Sequence, residues 1–136
     1  MAEPHDQAVI MGNKARSIAF RNEILLHFHA RGFRSAARKK EPKGMSLHEL
    51  MKVDRGDIVG LPWTILARNQ LTIDASAMQD LAKNAALDNG HELYAVIQSR
   101  RTRDVSESYV TLPLSVFTRV LARLHPEIVT PRETPS

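Results

Sequence analysis

The sequence DRGDIVGLPWTILARN (residues 54–69) decides the fold of this chain. β-Branched residues stand on both sides of a Gly-Leu-Pro-Trp segment at residues 60–63, and glycine and proline punctuate strands. The pattern predicts two short strands, over 57–59 and 64–68, joined by a turn. Asp57 then starts the first strand, either as a turn residue, or as an acid paired with Arg55 or Arg68, or as a residue with chemistry of its own. Trp63 is expected to pack into the core, and the alternative is an exposed base-stacking platform.

Upstream of this hairpin, apolar residues recur every four positions and predict an amphipathic helix over 13–31 that ends at Gly32. Its expected core residues are Phe20, Ile24 and Phe28, whereas Arg16, Arg21 and Arg31 are expected to face solvent. The segment 33–52 is predicted to be irregular and basic, apart from one helical turn at 46–49.

Downstream of the hairpin, Asp74 is expected to cap a helix that runs to about Asp88 and stops at Asn89-Gly90. Strands are predicted over 93–97 and 108–112, with a polar connection over 100–107, and a last helix over 114–124. This order of elements predicts an α/β fold with a mixed sheet flanked by helices. Residues 13–124 form the expected domain, between a flexible tail at 1–12 and a Pro-rich tail at 125–136.

The composition limits the classes of protein that fit. With 136 residues and 43% hydrophobic residues, the chain suits one compact domain. It contains no cysteine, which excludes disulfides, thiolate zinc sites and cysteine nucleophiles. No apolar run approaches the length of a membrane span and no signal peptide is visible, so a soluble protein is expected, in the cytoplasm or in a phage particle assembled there.

The positive charge is clustered. The formal net charge is +4, and the stretch from position 31 to position 43 contains six basic residues and one acid. A second group is Arg100, Arg101 and Arg103. Such clusters favour phosphate backbones or acidic protein surfaces, and the alternative is a merely solvated basic loop.

These landmarks together resemble the PD-(D/E)XK nuclease superfamily, most closely its small Holliday-junction-resolvase-like members from phages and actinobacteria. The resemblance covers 13–124 and rests on the ordered spacing of an acid-bearing helix, an Arg-Gly-Asp-Ile strand, the hairpin and Asn89-Gly90. It implies a restriction-endonuclease-like mixed β-sheet flanked by helices. It also implies a Mg²⁺ site, for which Glu23 matches the helix acid and Asp57 the central ligand.

Half of the implied catalytic motif is missing. The family carries Glu-X-Lys on the return strand, and the matching positions here read Leu66-Ala67-Arg68. Leucine offers no oxygen to a hard cation, and an arginine stays protonated, so it binds phosphate without transferring protons. An acid supplied from elsewhere is the remaining route to a metal site, and the candidates are Asp54, Asp74 and Asp80.

The leading hypothesis is therefore a catalytically degenerate resolvase-like protein that binds DNA or serves in phage assembly, without a cofactor. Its partners would be DNA or virion proteins, and the resemblance implies a homo-oligomer or a larger assembly. The first alternative is an active Mg²⁺-dependent endonuclease or Holliday junction resolvase that keeps Glu23 and Asp57 as ligands. The second is a virion connector component without DNA contact. The residues expected to contact DNA are Arg38, Lys39, Lys40, Arg55, Arg68, Arg100 and Arg101.

Overall fold

A mixed five-stranded sheet flanked by three helices makes up the described part of the chain, residues 4–38, 57–70 and 72–130 of a computed structural model. This confirms the predicted fold class. The helices are α1 (Pro4–Ala30), α2 (Ala75–Asn89) and α3 (Leu114–Leu124). The strands are β1 (Ala37–Arg38), β2 (Ile58–Val59), β3 (Trp63–Arg68), β4 (Leu93–Gln98) and β5 (Tyr109–Thr111).

The strands lie in chain order across the sheet, and only the central pair is parallel. The other neighbours, β1 with β2, β2 with β3, and β4 with β5, are antiparallel. The parallel register of β3 and β4 runs from Trp63 opposite Leu93 to Arg68 opposite Gln98. The carboxyl ends of β3 and β4 therefore meet at one edge of the sheet, and the residues that follow them are brought side by side.

Each face of the sheet carries its own core. Side chains alternate along β3, so that Ala67 packs beneath α1 with Phe20 and Ile24, whereas Leu66 packs beneath α2 with Ala82 and Val96. Trp63 is half-buried against the α1-side core, in line with its expected packing. We call these two faces the α1 face and the α2 face.

Elements with strong local signals lie where the sequence predicts them. The side chain of Asp74 accepts a hydrogen bond from the backbone N–H of Ala77 at 3.0 Å and caps α2. Gly90 ends the same helix in the left-handed conformation, with φ of 71°. The last helix has the predicted bounds, and α1 ends two positions before the left-handed Gly32.

Two other expectations are wrong, and a third concerns residues that the structure does not describe. The helix α1 begins at Pro4 rather than at residue 13, so residues 4–12 are helical; proline suits the first turn, where its missing N–H costs nothing. The segment expected to be irregular contains β1, a two-residue strand held by its pairing with β2. The helical turn expected at 46–49 lies outside the described residues.

Gly60 fixes the approach of the hairpin to the segment that precedes β1. It has a φ of 88°, and a Cβ atom added there would lie 1.9 Å from the carbonyl oxygen of Ser35. Only glycine meets both conditions, because it has no Cβ and adopts positive φ freely.

Helix α3 leaves a row of large apolar side chains exposed. Leu114, Phe117, Leu121 and Leu124 are 78%, 47%, 39% and 66% exposed, while Val116 on the other side is buried. The spacing of three, four and three residues puts these four side chains on one stripe of the helix. They are called the α3 stripe below. Within the described ranges, no helix has the combined length and hydropathy that crossing a bilayer requires.

Candidate functional site

Asp57 is a buried carboxylate at the edge of the sheet where β3 ends. Its backbone N–H donates to the carbonyl of Ile65 at 2.7 Å, which fixes the residue immediately before β2. Its Oδ2 accepts from the backbone N–H of Ala67 at 2.7 Å and from Nη1 of Arg68 at 2.6 Å. Its Oδ1 lies 3.1 Å from Nη2 of Arg21. The residue is only 7% exposed, so the pairing with Arg68, one of the roles considered for Asp57, is observed in a largely desolvated setting.

Arg21 reaches this carboxylate from α1, although the helical pattern predicted that it faces solvent. Its side chain is 26% exposed and lies at the boundary of the apolar stripe, next to the buried Phe20. The Nε atom is buried, and no described residue accepts a hydrogen bond from it. A long arginine side chain can cover apolar surface while its charged end stays in a polar site, which explains this placement.

A cleft of about 830 Å³ opens beside Asp57 on the α1 face. Among the described residues, its charged lining is four arginines and one carboxylate, Arg16, Arg21, Arg68, Arg101 and Asp57. Positive charge in such excess within a concave site attracts anions. The remaining lining residues are Ser17, Ala67, Asn69, Gln70 and Ser99.

A second cavity of about 270 Å³ continues the first. The two cavities share Arg16, Asn69, Ser99 and Arg101, and the smaller one adds Arg100 and Arg103. We call the two cavities together the arginine groove. Its charged lining, as far as the structure describes the chain, is six arginines, Arg16, Arg21, Arg68, Arg100, Arg101 and Arg103, and two carboxylates, Asp57 and Glu23.

The loop between β4 and β5 carries three of these arginines. Arg100 stacks over the ring of Tyr109, 4.4 Å from the ring centroid, and lies 4.0 Å from the carboxylate of Glu107. Asp104 accepts hydrogen bonds from the hydroxyl of Ser106 at 2.6 Å and from its backbone N–H at 3.1 Å. The Ser106 hydroxyl lowers the pKa of Asp104 below the ordinary 3.8. These contacts cap the 3-10 helix Val105–Glu107 and fix the loop locally.

Leu66 does not face the cleft, contrary to the expectation that a leucine there replaces a metal ligand beside Asp57. It is 0% exposed and packs beneath α2 on the opposite face of the sheet. The cleft is lined instead by Ala67, whose backbone N–H bonds Asp57. Successive residues of a strand point to opposite faces, so Leu66 lies on the side away from Ala67 and the cleft. Arg68 is the last residue of β3, and its long side chain reaches Asp57 from the end of the strand.

Glu23 and Asp57 are not brought into one metal site. Glu23 is exposed on α1 and lines the smaller cavity, whereas Asp57 lines the larger one. A hard dication needs several oxygen ligands, and the donor set around Asp57 consists mainly of guanidinium groups. The residues of the cleft therefore do not fit Mg²⁺. Among the described residues, no group of three or more His, Asp or Glu side chains is arranged to hold a metal ion.

The other predicted site residues fall in several places. Arg68, Arg100 and Arg101 line the groove, and Arg38 is exposed at the end of β1. Of the candidate replacement acids, Asp74 caps α2 and Asp80 is exposed on that helix. The described residues do not include Lys39, Lys40, Asp54 or Arg55.

Arg16 and Arg21 are the groove arginines that the sequence pattern did not mark as site residues. Both lie within one helical turn of Phe20, at the edge of the predicted apolar stripe. A cation at such an edge is a weak signal, because solvated arginines occupy the same positions.

Comparisons of this chain with models of protein families, with curated proteins and with solved structures found no match.

Proposed function

We propose that this chain is a DNA-binding protein built on a nuclease-like fold that lacks a catalytic metal site. The observation that carries the proposal is the arginine groove, where the described lining residues include six arginines and two carboxylates, a formal excess of four positive charges among them. Guanidinium groups donate in a planar fork that matches phosphate oxygens, so such a groove suits a polyanion.

The surroundings of Asp57 support binding over catalysis. Its two oxygens already receive contacts from Arg21, Arg68 and the Ala67 N–H, at 3.1, 2.6 and 2.7 Å. A dication placed there would have to displace these donors and sit beside two guanidinium charges. The anchored guanidinium groups are instead positioned to receive phosphate. Asp57 thus serves to position arginines, and DNA is bound without being cut.

DNA binding is tested by measuring affinity against salt. If the excess of four charges in the groove is matched by four phosphates, the plot of log affinity against log salt should have a slope of about −3. The affinity should then fall roughly 60-fold between about 50 and 200 mM salt. A protein that retains no DNA at low salt, or binds with no salt dependence, would remove the basis of the proposal.

The absence of catalysis is tested with linear and four-way branched DNA in the presence of Mg²⁺ or Mn²⁺. We expect no cleavage by the wild-type chain. Metal-dependent cutting that Asp57→Ala abolishes would establish the competing function, an Mg²⁺-dependent endonuclease or Holliday junction resolvase. Asp80→Ala is the matched control, because Asp80 is an exposed acid on α2 outside the groove.

The α3 stripe favours a second candidate function, assembly into a homo-oligomer, with or without DNA. Its residues repeat at the alternating three- and four-residue spacing by which two helices pack along a seam. The flanking positions Thr118 and Val120 are uncharged, Arg119 donates to the backbone carbonyl of Glu92 at 3.1 Å, and Arg123 pairs with the Glu92 carboxylate at 2.7 Å. Since the stripe and its flanking positions within α3 carry no charged side chain, the occupant we propose is a second copy of this chain.

Self-association is tested by light scattering or sedimentation of the wild type and of Phe117→Ser. We expect the wild type to be a dimer and the variant, which puts a hydroxyl in the centre of the stripe, to be a monomer. Ser115→Ala on the same helix is the control. A monomeric wild type at micromolar concentration would contradict the assembly function and leave DNA binding as it stands.

A further inference from the structure

The shape of the arginine groove bears on the form of DNA that enters it. Its two cavities measure about 830 and 270 Å³. Sites of this size enclose ligands of a few rings, and they exceed a single phosphate group by far. A duplex keeps its bases paired inside and offers only its outer phosphates and groove edges to a protein. An unpaired strand has free bases that can enter such a groove together with its phosphates.

An exposed aromatic side chain contacts Arg100 of the smaller cavity, although it is not itself a lining residue of either cavity. Tyr109 is 54% exposed on the edge strand β5, and the guanidinium of Arg100 covers its ring at 4.4 Å. Arg100 itself lines the smaller cavity. Flat aromatic and guanidinium groups next to a positive groove are the parts from which proteins build sites for single strands, because every base has a π face to stack.

Polar side chains in the groove have the chemistry to bond base edges. Asn69 and Gln70 follow β3, and Ser99 follows β4. The hydroxyl of Ser99 donates to Oδ1 of Asn69 at 2.7 Å, which orients the Asn69 amide within the groove. Bases expose their hydrogen-bonding edges fully only when they are unpaired.

We propose that the arginine groove binds single-stranded DNA, with phosphates on its arginines and an unpaired base stacked on the Arg100–Tyr109 pair. This inference rests on the proposed DNA-binding function and specifies the ligand of the same site. The stack would add sequence-tolerant affinity, because it engages the face of a base and not its edge.

The experiment compares a labelled single strand with its own duplex, at equal length and salt, by fluorescence anisotropy. The single strand should bind at least tenfold more tightly. Tyr109→Leu should lower the single-strand affinity about fivefold or more, the effect of losing one stacked base, and should leave duplex affinity within twofold of the wild type. Tyr109→Phe, which keeps the ring, should bind as the wild type does, and thermal melting should show that both variants are folded.

Each outcome has a defined meaning. A duplex bound as tightly as the single strand, or a Tyr109→Leu variant with unchanged single-strand affinity, would overturn this inference while the proposed DNA binding stands. Salt-independent or undetectable binding of both forms would overturn the proposed function, and this inference with it.

Discussion

Asp57 and Arg68 face each other across the β2–β3 hairpin, with 2.6 Å between Oδ2 and Nη1. The same carboxylate also lies 3.1 Å from Arg21 on α1. One buried acid thus joins the first helix to two strands, and it does so at the floor of the groove. Four measurements test what this arrangement and its surroundings do.

Removal of Asp57 should destabilise the fold. Asp57→Ala removes a carboxylate that two partly buried guanidinium groups and the Ala67 N–H contact. We expect the free energy of unfolding to fall by roughly 2–3 kcal/mol, less than for a fully buried pair because both arginines keep some exposure. Urea denaturation measures this, with Asp80→Ala as the exposed control. An unchanged or increased stability would indicate an acid kept for chemistry at a cost to the fold.

Loss of one groove arginine should weaken DNA binding in proportion to charge. Arg16→Ala or Arg101→Ala should each lower affinity roughly three- to tenfold at moderate salt and reduce the size of the salt slope by about 1. Arg123→Ala is the control, because Arg123 lines neither cavity and pairs with Glu92 at 2.7 Å. An equal loss in all three variants would point to diffuse attraction by net charge and not to the groove.

The close packing at Gly60 should make it the less replaceable of two left-handed glycines. Gly60 and Gly90 both have positive φ, but an added Cβ meets the Ser35 backbone only at Gly60, at 1.9 Å. Both alanine variants should lose about 1 kcal/mol from backbone strain, and Gly60→Ala should lose a further 1–3 kcal/mol or so from the forced shift. Equal melting temperatures for the two variants would contradict the close approach.

The pKa of Asp104 should rise when its hydroxyl partner is removed. Ser106 donates to this carboxylate and lowers its pKa below 3.8, so Ser106→Ala should bring the pKa back toward that value. Because the folded-state pKa is the lower one, the cap stabilises the loop above pH 3.8 and this stabilisation is lost as the pH falls through the folded pKa. NMR titration of the carboxyl carbon measures the shift, with Ser108→Ala as control.

The parts of the fold that the sequence predicts are those whose signals are local. Helix α2 is marked by the cap at Asp74 and by the stop at Gly90, and both lie within a few residues of the helix they bound. Strand β1 has only two residues and is held by its pairing with β2, which is distant in the chain. No periodic pattern in the sequence therefore predicts it. Its existence follows from pairing, which a single sequence does not display.

The sequence likewise predicts only part of the candidate site. The positive loop after β4 and Arg68 were visible as charge clusters or motif positions. The alternation of β3 also predicts that Leu66 and Ala67 face opposite ways, but which of them meets the cleft depends on the face that α1 covers. The placement of Arg21 depends on the same packing, and for that reason the helical pattern alone assigned it to solvent.

The parallel pairing of β3 with β4 has a practical consequence for engineering. Arg68 and the loop that carries Arg101 project from the ends of two adjacent strands, while the hydrocarbon interior lies along their lengths. Residues 69, 70 and 99–103 of the groove therefore lie outside the strands that carry the core, whereas Asp57, Arg21 and Arg68 belong both to the groove and to the buried contacts of the fold. Libraries that randomise residues 69, 70 and 99–103 should therefore yield folded clones at a high rate, and they can be screened for anion binding without rebuilding the interior.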